Sequence, residues 1–156
     1  MAYLLTLPGF IFGLYLAWTD LRRRRVPRRA VILGLLAQGL AVTVLCLARH
    51  DMSTLIGSVM ICLACTGVQC LLALVRPGAL GLGDVTATAL LALSLGPLGW
   101  TTTLVWWLLM GVLGLGAMAI RRIGKDQSSQ SETLAYVPVI LLAALAAATL
   151  SGLAGW

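Results

Sequence analysis

Two aspartates in this chain sit where a charge is costly. Asp20 closes the apolar run "AYLLTLPGFIFGLYLAWTD", and Asp84 stands in "ALGLGDV", between glycines and a further apolar run. Removing an ionised carboxylate from water is expensive, so both positions call for a reason. The other acids, Asp51 in "ARHDMS" and Asp126 and Glu132 in "GKDQSSQSE", read as solvated. Two carboxylates within hydrogen-bonding reach cannot both ionise comfortably, so one keeps a proton while the other stays charged. The charged member can take a proton from water as that water attacks a peptide carbonyl, and the protonated member can polarise the carbonyl. Gly81 and Gly83, flanking Leu82, would let an extended substrate backbone come close to Asp84. Each aspartate also has a structural reading. Asp84 would be the N-cap of a helix, and Asp20 a helix-end carboxylate offset by the arginines at 22 to 25.

The elements that must position these residues are membrane spans. Of 156 residues, 60% are hydrophobic and only 10% are charged, and the mean hydropathy is +1.01. A soluble domain would be roughly a quarter charged. Crossing about 30 Å of hydrocarbon takes about 20 residues at 1.5 Å each. Tyr3 to Thr19, Ala30 to Ala48, Thr54 to Val75, Thr102 to Ile120 and Leu134 to Gly152 fit that length. Asp84 to Ile120 as one helix would be about 55 Å long, so Gly96-Pro97 must break it into a hairpin, adding a short sixth span that is recessed or partly re-entrant. The N-terminal run lacks the basic region and small-residue cleavage site of a signal peptide and stays as a span. Cys46, Cys62, Cys65 and Cys70 lie in apolar runs without a second ligand pair and read as packing residues, so no metal or cofactor is expected. The expected fold is an all-α membrane bundle of about six helices, a single domain over residues 1–156.

Basic residues give the sidedness. Ten of the eleven fall in 20 to 29, 76 to 84 and 121 to 133, leaving only Arg49 on the other side. Short cytoplasmic loops collect Lys and Arg, so both termini are expected outside and these three loops in the cytoplasm. The +6 net charge then reads as topology and contact with anionic lipid headgroups, not as a nucleic-acid site. The first span runs inward and the fourth outward, so Asp20 and Asp84 arrive at one boundary although 64 positions (84 minus 20) separate them.

These residues resemble the type IV prepilin leader peptidases. "DLRRRRVP", Asp20 to Pro27, is similar to their D-x5-[IV]-P-N segment; "GLGD", Gly81 to Asp84, to their G-x-G-D motif; and "AYVPVILLAALAA" to their last span, which opens with a proline. The resemblance implies a plasma-membrane aspartic endopeptidase that removes short basic leaders from prepilin-like proteins at the cytoplasmic face. It carries Asp20 and Asp84 over as the catalytic pair, with Gly81, Gly83, Pro27, Arg28 and Thr86 as substrate-positioning residues. Arg28 stands where the family usually has Asn, and Thr86 where it usually has Lys. The large relatives that also methylate carry a cysteine-bearing segment between the first two spans. Here only about ten residues separate them, which resembles the short peptidase-only form of Flp or tight-adherence systems.

Two other classes compete. A non-catalytic membrane component of a pilus or secretion system would use both aspartates only as caps. A small ion-coupled transporter would place acids near mid-membrane and show repeated halves, neither of which this sequence has.

Overall fold

A computed structural model describes residues 2–23, 26–75, 81–123 and 136–155. Arg24, Arg25, Arg76, Lys125 and the polar stretch 124–132, with Asp126 and Glu132, therefore lie outside the described residues. The helices are α1 (Ala2–Arg23), α2 (Arg28–Ala48), α3 (Met52–Val75), α4 (Leu82–Leu95), α5 (Gly99–Ile123) and α6 (Val137–Ala154), with no strand among the described residues. Among the described residues, five stretches are long and apolar enough to cross a membrane: Tyr3–Arg23, Arg28–Ala48, Met52–Val75, Leu82–Ile120 and Val137–Ala154. The fourth holds both α4 and α5. Its hydropathy runs on through a 3-10 turn, Gly96–Leu98, where the chain reverses. Pro97 removes a backbone donor there, and Gly99 takes φ +87, which a glycine adopts at little steric cost. At 14 residues, α4 is about 21 Å long, short of a full hydrocarbon crossing.

Side-chain contacts fix the direction of each helix. Tyr3 bonds Ser151 and Asp20 bonds Val137, so α1 and α6 are antiparallel. Gly9 faces Ser94 and Gly13 faces Leu91, which makes α1 and α4 antiparallel as well, and Gly34 against Phe12 does the same for α1 and α2. Cys62 Sγ donates to the Ala89 carbonyl while Ser58 packs on Gly96, so α3 opposes α4. The indole of Trp106 donates to the Ile140 carbonyl, and the Tyr136 hydroxyl to that of Met110, which opposes α5 to α6. The chain therefore alternates in direction through six helices. The end of α1 and the starts of α4 and α6 share one end of the bundle.

Burial follows from this order. α4 is buried on most of its circumference, through Val85, Ala87, Thr88, Leu90, Leu91, Ala92, Ser94 and Leu95, and is the central helix. Leu16, Ile61, Trp106 and Ile140 pack around it in one core. In α6, Ala143, Ala144, Ala147 and Ala148 face inward; without a hydrophobic drive between helices in lipid, small side chains gain contact by letting backbones approach. Leu14, Leu36, Leu63, Leu104 and Leu115 point outward, as lipid-facing residues of spanning helices do.

Pro8 lies inside α1, and α2 supplies partners beside it. The Gly9 N–H and the Leu5 carbonyl stand in the turn where Pro8 lacks the N–H that would meet the Leu4 carbonyl and where its ring crowds the ladder. Fully buried Gln38 meets both groups: its Oε1 accepts the Gly9 N–H at 2.8 Å, and its Nε2 donates to the Leu5 carbonyl at 2.7 Å. Gln38→Leu should therefore destabilise the bundle by about 2 kcal/mol. Thermal unfolding in detergent should show Tm falling by about 4–8 °C, and an unchanged Tm would mean that α1 closes its own ladder.

Candidate active site

Asp20 lies in the last turn of α1 and is only 8% exposed. Its Oδ2 accepts the N–H of Val137, the first residue of α6, at 3.3 Å. The first N–H groups of a helix have no partner within it and carry the positive end of its dipole. Pro138, next in the chain, has no N–H to offer. Asp20 is thus a cap, but for α6 and not for its own helix. Asp20 is met by this backbone donor, and Arg22 lies over the Trp18 ring, 4.4 Å from its centroid; Arg24 and Arg25 lie outside the described residues.

Asp84 is not the N-cap of α4, as its place after a glycine suggested. Gly81 holds that position in an extended conformation (φ −80, ψ 149), and Asp84 is the third residue of the helix. From there its Oδ2 reaches back to accept the Gly81 N–H at 3.1 Å, while its own N–H donates to the Gly81 carbonyl at 3.0 Å. Leaving the Gly81 N–H to face the first turn makes an acid at this third position the favourable choice.

Both carboxylates lie at the end of the bundle where α1 ends and α4 and α6 begin. The charge on Asp20 reaches Asp84, and Asp84 in turn acts on Tyr136, whose phenol is pushed above its ordinary value by burial first and by that charge second. Three helix ends, those of α1, α4 and α6, therefore meet around the pair. Tyr136 and Val137 contribute through position, a hydroxyl and a backbone N–H; the only signal for them was the proline-bearing "AYVPV" segment.

The residues around Asp84 divide between two faces. A Cβ on Gly83 would lie 2.7 Å from Val26 Cγ2, so this glycine is needed for the α1–α2 connection to dock on α4. Its Cα packs against Val26 on that side, and Gly83 also lines the groove beside it. A Cβ on Gly81 would meet only Asp84 Oδ2 at 3.5 Å, an ordinary contact, and the Gly83 backbone at 3.9 Å. Pro27 then caps α2 in an extended conformation, placing Arg28 as its first residue. Beside the Val26–Gly83 contact runs a groove of about 530 Å³, lined by Val26, Arg28, Val31, Ile32, Leu82, Gly83 and Thr86. Arg28 and Thr86 thus share one groove. The Thr86 hydroxyl donates to the Gly83 carbonyl at 2.9 Å, and neither aspartate is part of the lining.

A helical bundle with membrane-length segments and two aspartates at one end is the architecture of a multi-pass membrane protein. The model of the type IV leader peptidase family matches residues 7–119, which include Asp20, the Gly81 to Asp84 motif and the groove, and the chain belongs to that family. Membership makes it a protease of the aspartic, prepilin-peptidase kind with a prepilin-like substrate. No curated protein and no solved structure matches the chain.

The Val26–Gly83 contact generates a paired test. Gly83→Ala should lower stability by about 1–3 kcal/mol through overpacking. Adding Val26→Ala should recover most of that loss, because the clashing methyl groups are gone. Detergent melting curves of both singles and the double would read the coupling, and strictly additive losses would show that the two residues do not meet.

Proposed function

We propose that Asp20 and Asp84 are the catalytic pair of an endopeptidase that removes the short basic leader of type IV prepilin-like (Flp/Tad-type) proteins at the cytoplasmic face of the plasma membrane. The observation that carries this reading is the meeting of two helix-end carboxylates at the end of the bundle where the basic residues collect. Each has one oxygen held by a backbone N–H, which fixes its orientation before substrate arrives. One carboxylate serves as base to the attacking water, and the other, protonated, polarises the scissile carbonyl and returns a proton to the leaving amine. Gly81, with Pro27, Arg28 and Thr86 around the groove, positions the substrate, and Gly83 does so indirectly by seating Val26. The connection from Arg23 to Arg28 leaves four residues, 24 to 27, between α1 and α2, which supports a peptidase without the methylating segment. The +6 charge supports contact with anionic headgroups.

One observation favours a second reading. Both aspartates accept helix-end N–H bonds, which is all that a non-catalytic assembly component would ask of them. A transporter is less well supported, since the acids lie at one end of the bundle and not at its middle.

Asparagine separates the two readings, because it can still cap a helix but cannot serve as base or acid. Asp20→Asn and Asp84→Asn should each express and insert, yet cut leader removal from a cognate prepilin in membranes by about 10³-fold or more. The double variant should lose little beyond either single. Asp51→Asn and Asp126→Asn are controls that should cleave like the parent; Asp51 caps α3 through Ser53 and Thr54 at the opposite end. Parental cleavage by a well-expressed Asp20→Asn or Asp84→Asn would establish the capping role alone.

The groove and the orientation are tested separately. Thr86→Lys places a second cation beside Arg28 without touching the pair, so cleavage should be retained or mildly raised, and its loss would show a site built differently from the family pattern. With native cysteines removed, Ser128→Cys should react with an impermeant thiol reagent only from the cytoplasm and Ser53→Cys only from outside. The reverse pattern would put the aspartates on the non-cytoplasmic face.

A further inference from the structure

Two interior polar side chains stand outside the reaction described above. Gln69 on α3 is 2% exposed and Thr88 on α4 is 0% exposed, and among the described residues neither Gln69 Oε1 nor Thr88 Oγ1 has a hydrogen-bond partner. Gln69 directs its amide nitrogen to the Met110 sulfur at 3.8 Å, a weak acceptor. Other hydroxyls in this bundle close onto the carbonyl four residues back, as Ser58 does on Thr54, Ser94 on Leu90, Thr102 on Leu98 and Thr103 on Gly99. Thr88 does not, although the carbonyl four back belongs to Asp84. Buried polar atoms left unpaired are unfavourable and are rare in folded proteins.

Their placement relates them to the site. Thr88 follows Asp84 by four residues and so lies one turn deeper on the same face of α4. Cys62 meeting Ala89 and Ser58 meeting Gly96 set the antiparallel register of α3 on α4. Counting along that register puts Gln69 at the level of Asp84 and Cys65 at the level of Thr88. Helix side chains lean toward their own N-terminus. In an antiparallel pair, Gln69 therefore leans up toward Thr88 while Thr88 leans down toward Gln69. Met110, which receives the Gln69 amide, also accepts the Tyr136 hydroxyl, and Tyr136 is the residue on which the Asp84 charge acts. Gln69 on α3 thus meets Met110 on α5, and Thr88 on α4 lies one turn deeper than Asp84, toward the level that the α3–α4 register gives Gln69.

We propose that Gln69 and Thr88 hold a water molecule behind Asp84 and act as positioning residues that keep the catalytic end of the bundle hydrated from within. A carbonyl oxygen needs a donor and a hydroxyl can both donate and accept, which suits a water able to do both. Near-complete burial excludes anything of substrate size. Peptide hydrolysis consumes one water per bond: its oxygen bonds to the acyl carbon, the C–N bond breaks, and a proton passes to the leaving amine. The hydrolytic role rests on the peptidase reading, whereas the water site stands apart from it.

Purified protein in detergent provides two readouts, Tm and the kinetics of leader removal, for Thr88→Val, Gln69→Leu and Thr88→Ser. A bound water loses a partner in Thr88→Val, so Tm should fall by about 3 °C. In the same variant kcat should fall about tenfold with KM within about twofold of the parent. Gln69→Leu should behave alike, and Thr88→Ser, which keeps the hydroxyl, should restore both values. A dry orphan would give the opposite: replacement by an apolar isostere would raise Tm and leave kcat at the parental value, and either result overturns the proposal. Should Thr88→Val fail to fold, Gln69→Leu carries both readouts, and failure of both to fold would mark the pair as structural and overturn it. If the parent removes no leader, the peptidase reading fails while the sign of the Tm shift still decides the water site.

Discussion

A carboxylate placed in an apolar bundle has to be met by donors, and the way Asp20 is met organises this molecule. Its partner is the start of α6, 117 positions away in sequence, so one hydrogen bond ties the beginning of the chain to its last helix. The bond needs α1 to end where α6 begins, which requires the two helices to run antiparallel along their length. A second tie, Val26 seated on Gly83, brings the connection after Asp20 onto the first turn of α4. Between them, the capping bond and the glycine contact place Asp20 and Asp84 at one end of the bundle, as a result of helix packing.

Capping and catalysis are compatible uses of the same groups. A backbone N–H takes one oxygen of each carboxylate and restricts its rotation, which is the kind of preorganisation an acid–base pair needs. A helix N-terminus also tolerates negative charge better than the surrounding hydrocarbon would. The short central helix contributes to the setting. At about 21 Å, α4 is too short to cross the hydrocarbon alone, and Asp84 stands in its first turn.

Much of this was legible in the sequence because lipid imposes simple rules. Span length located the five long helices, Gly96-Pro97 marked the reversal, and alternation of direction placed Asp20 and Asp84 at one end. What escaped was the identity of facing residues, since a helix that is apolar on nearly every side gives no periodic sign of its neighbours. Gln38 carries no sequence sign that it bonds Gly9 and Leu5 beside Pro8. At Gly83 the sequence gives no sign that Val26 packs against it. Val137 could not be found at all by side-chain chemistry, as it acts through its backbone N–H. Gln69 and Thr88 gave no sequence signal either; their interest comes from burial without partners.

Proximity of the two aspartates is the point on which the rest turns, and cross-linking measures it without requiring catalysis. On a background with the native cysteines removed, Asp20→Cys combined with Asp84→Cys should be joined within one chain by a short bifunctional thiol reagent in membranes. Mass spectrometry should recover the linked pair of peptides. Tyr3→Cys with Ser151→Cys, at the opposite end of α1 and α6, is the positive control. Efficient linkage at 20 and 84 is the predicted result; linkage at 3 and 151 with none between 20 and 84 would contradict a paired-carboxylate site.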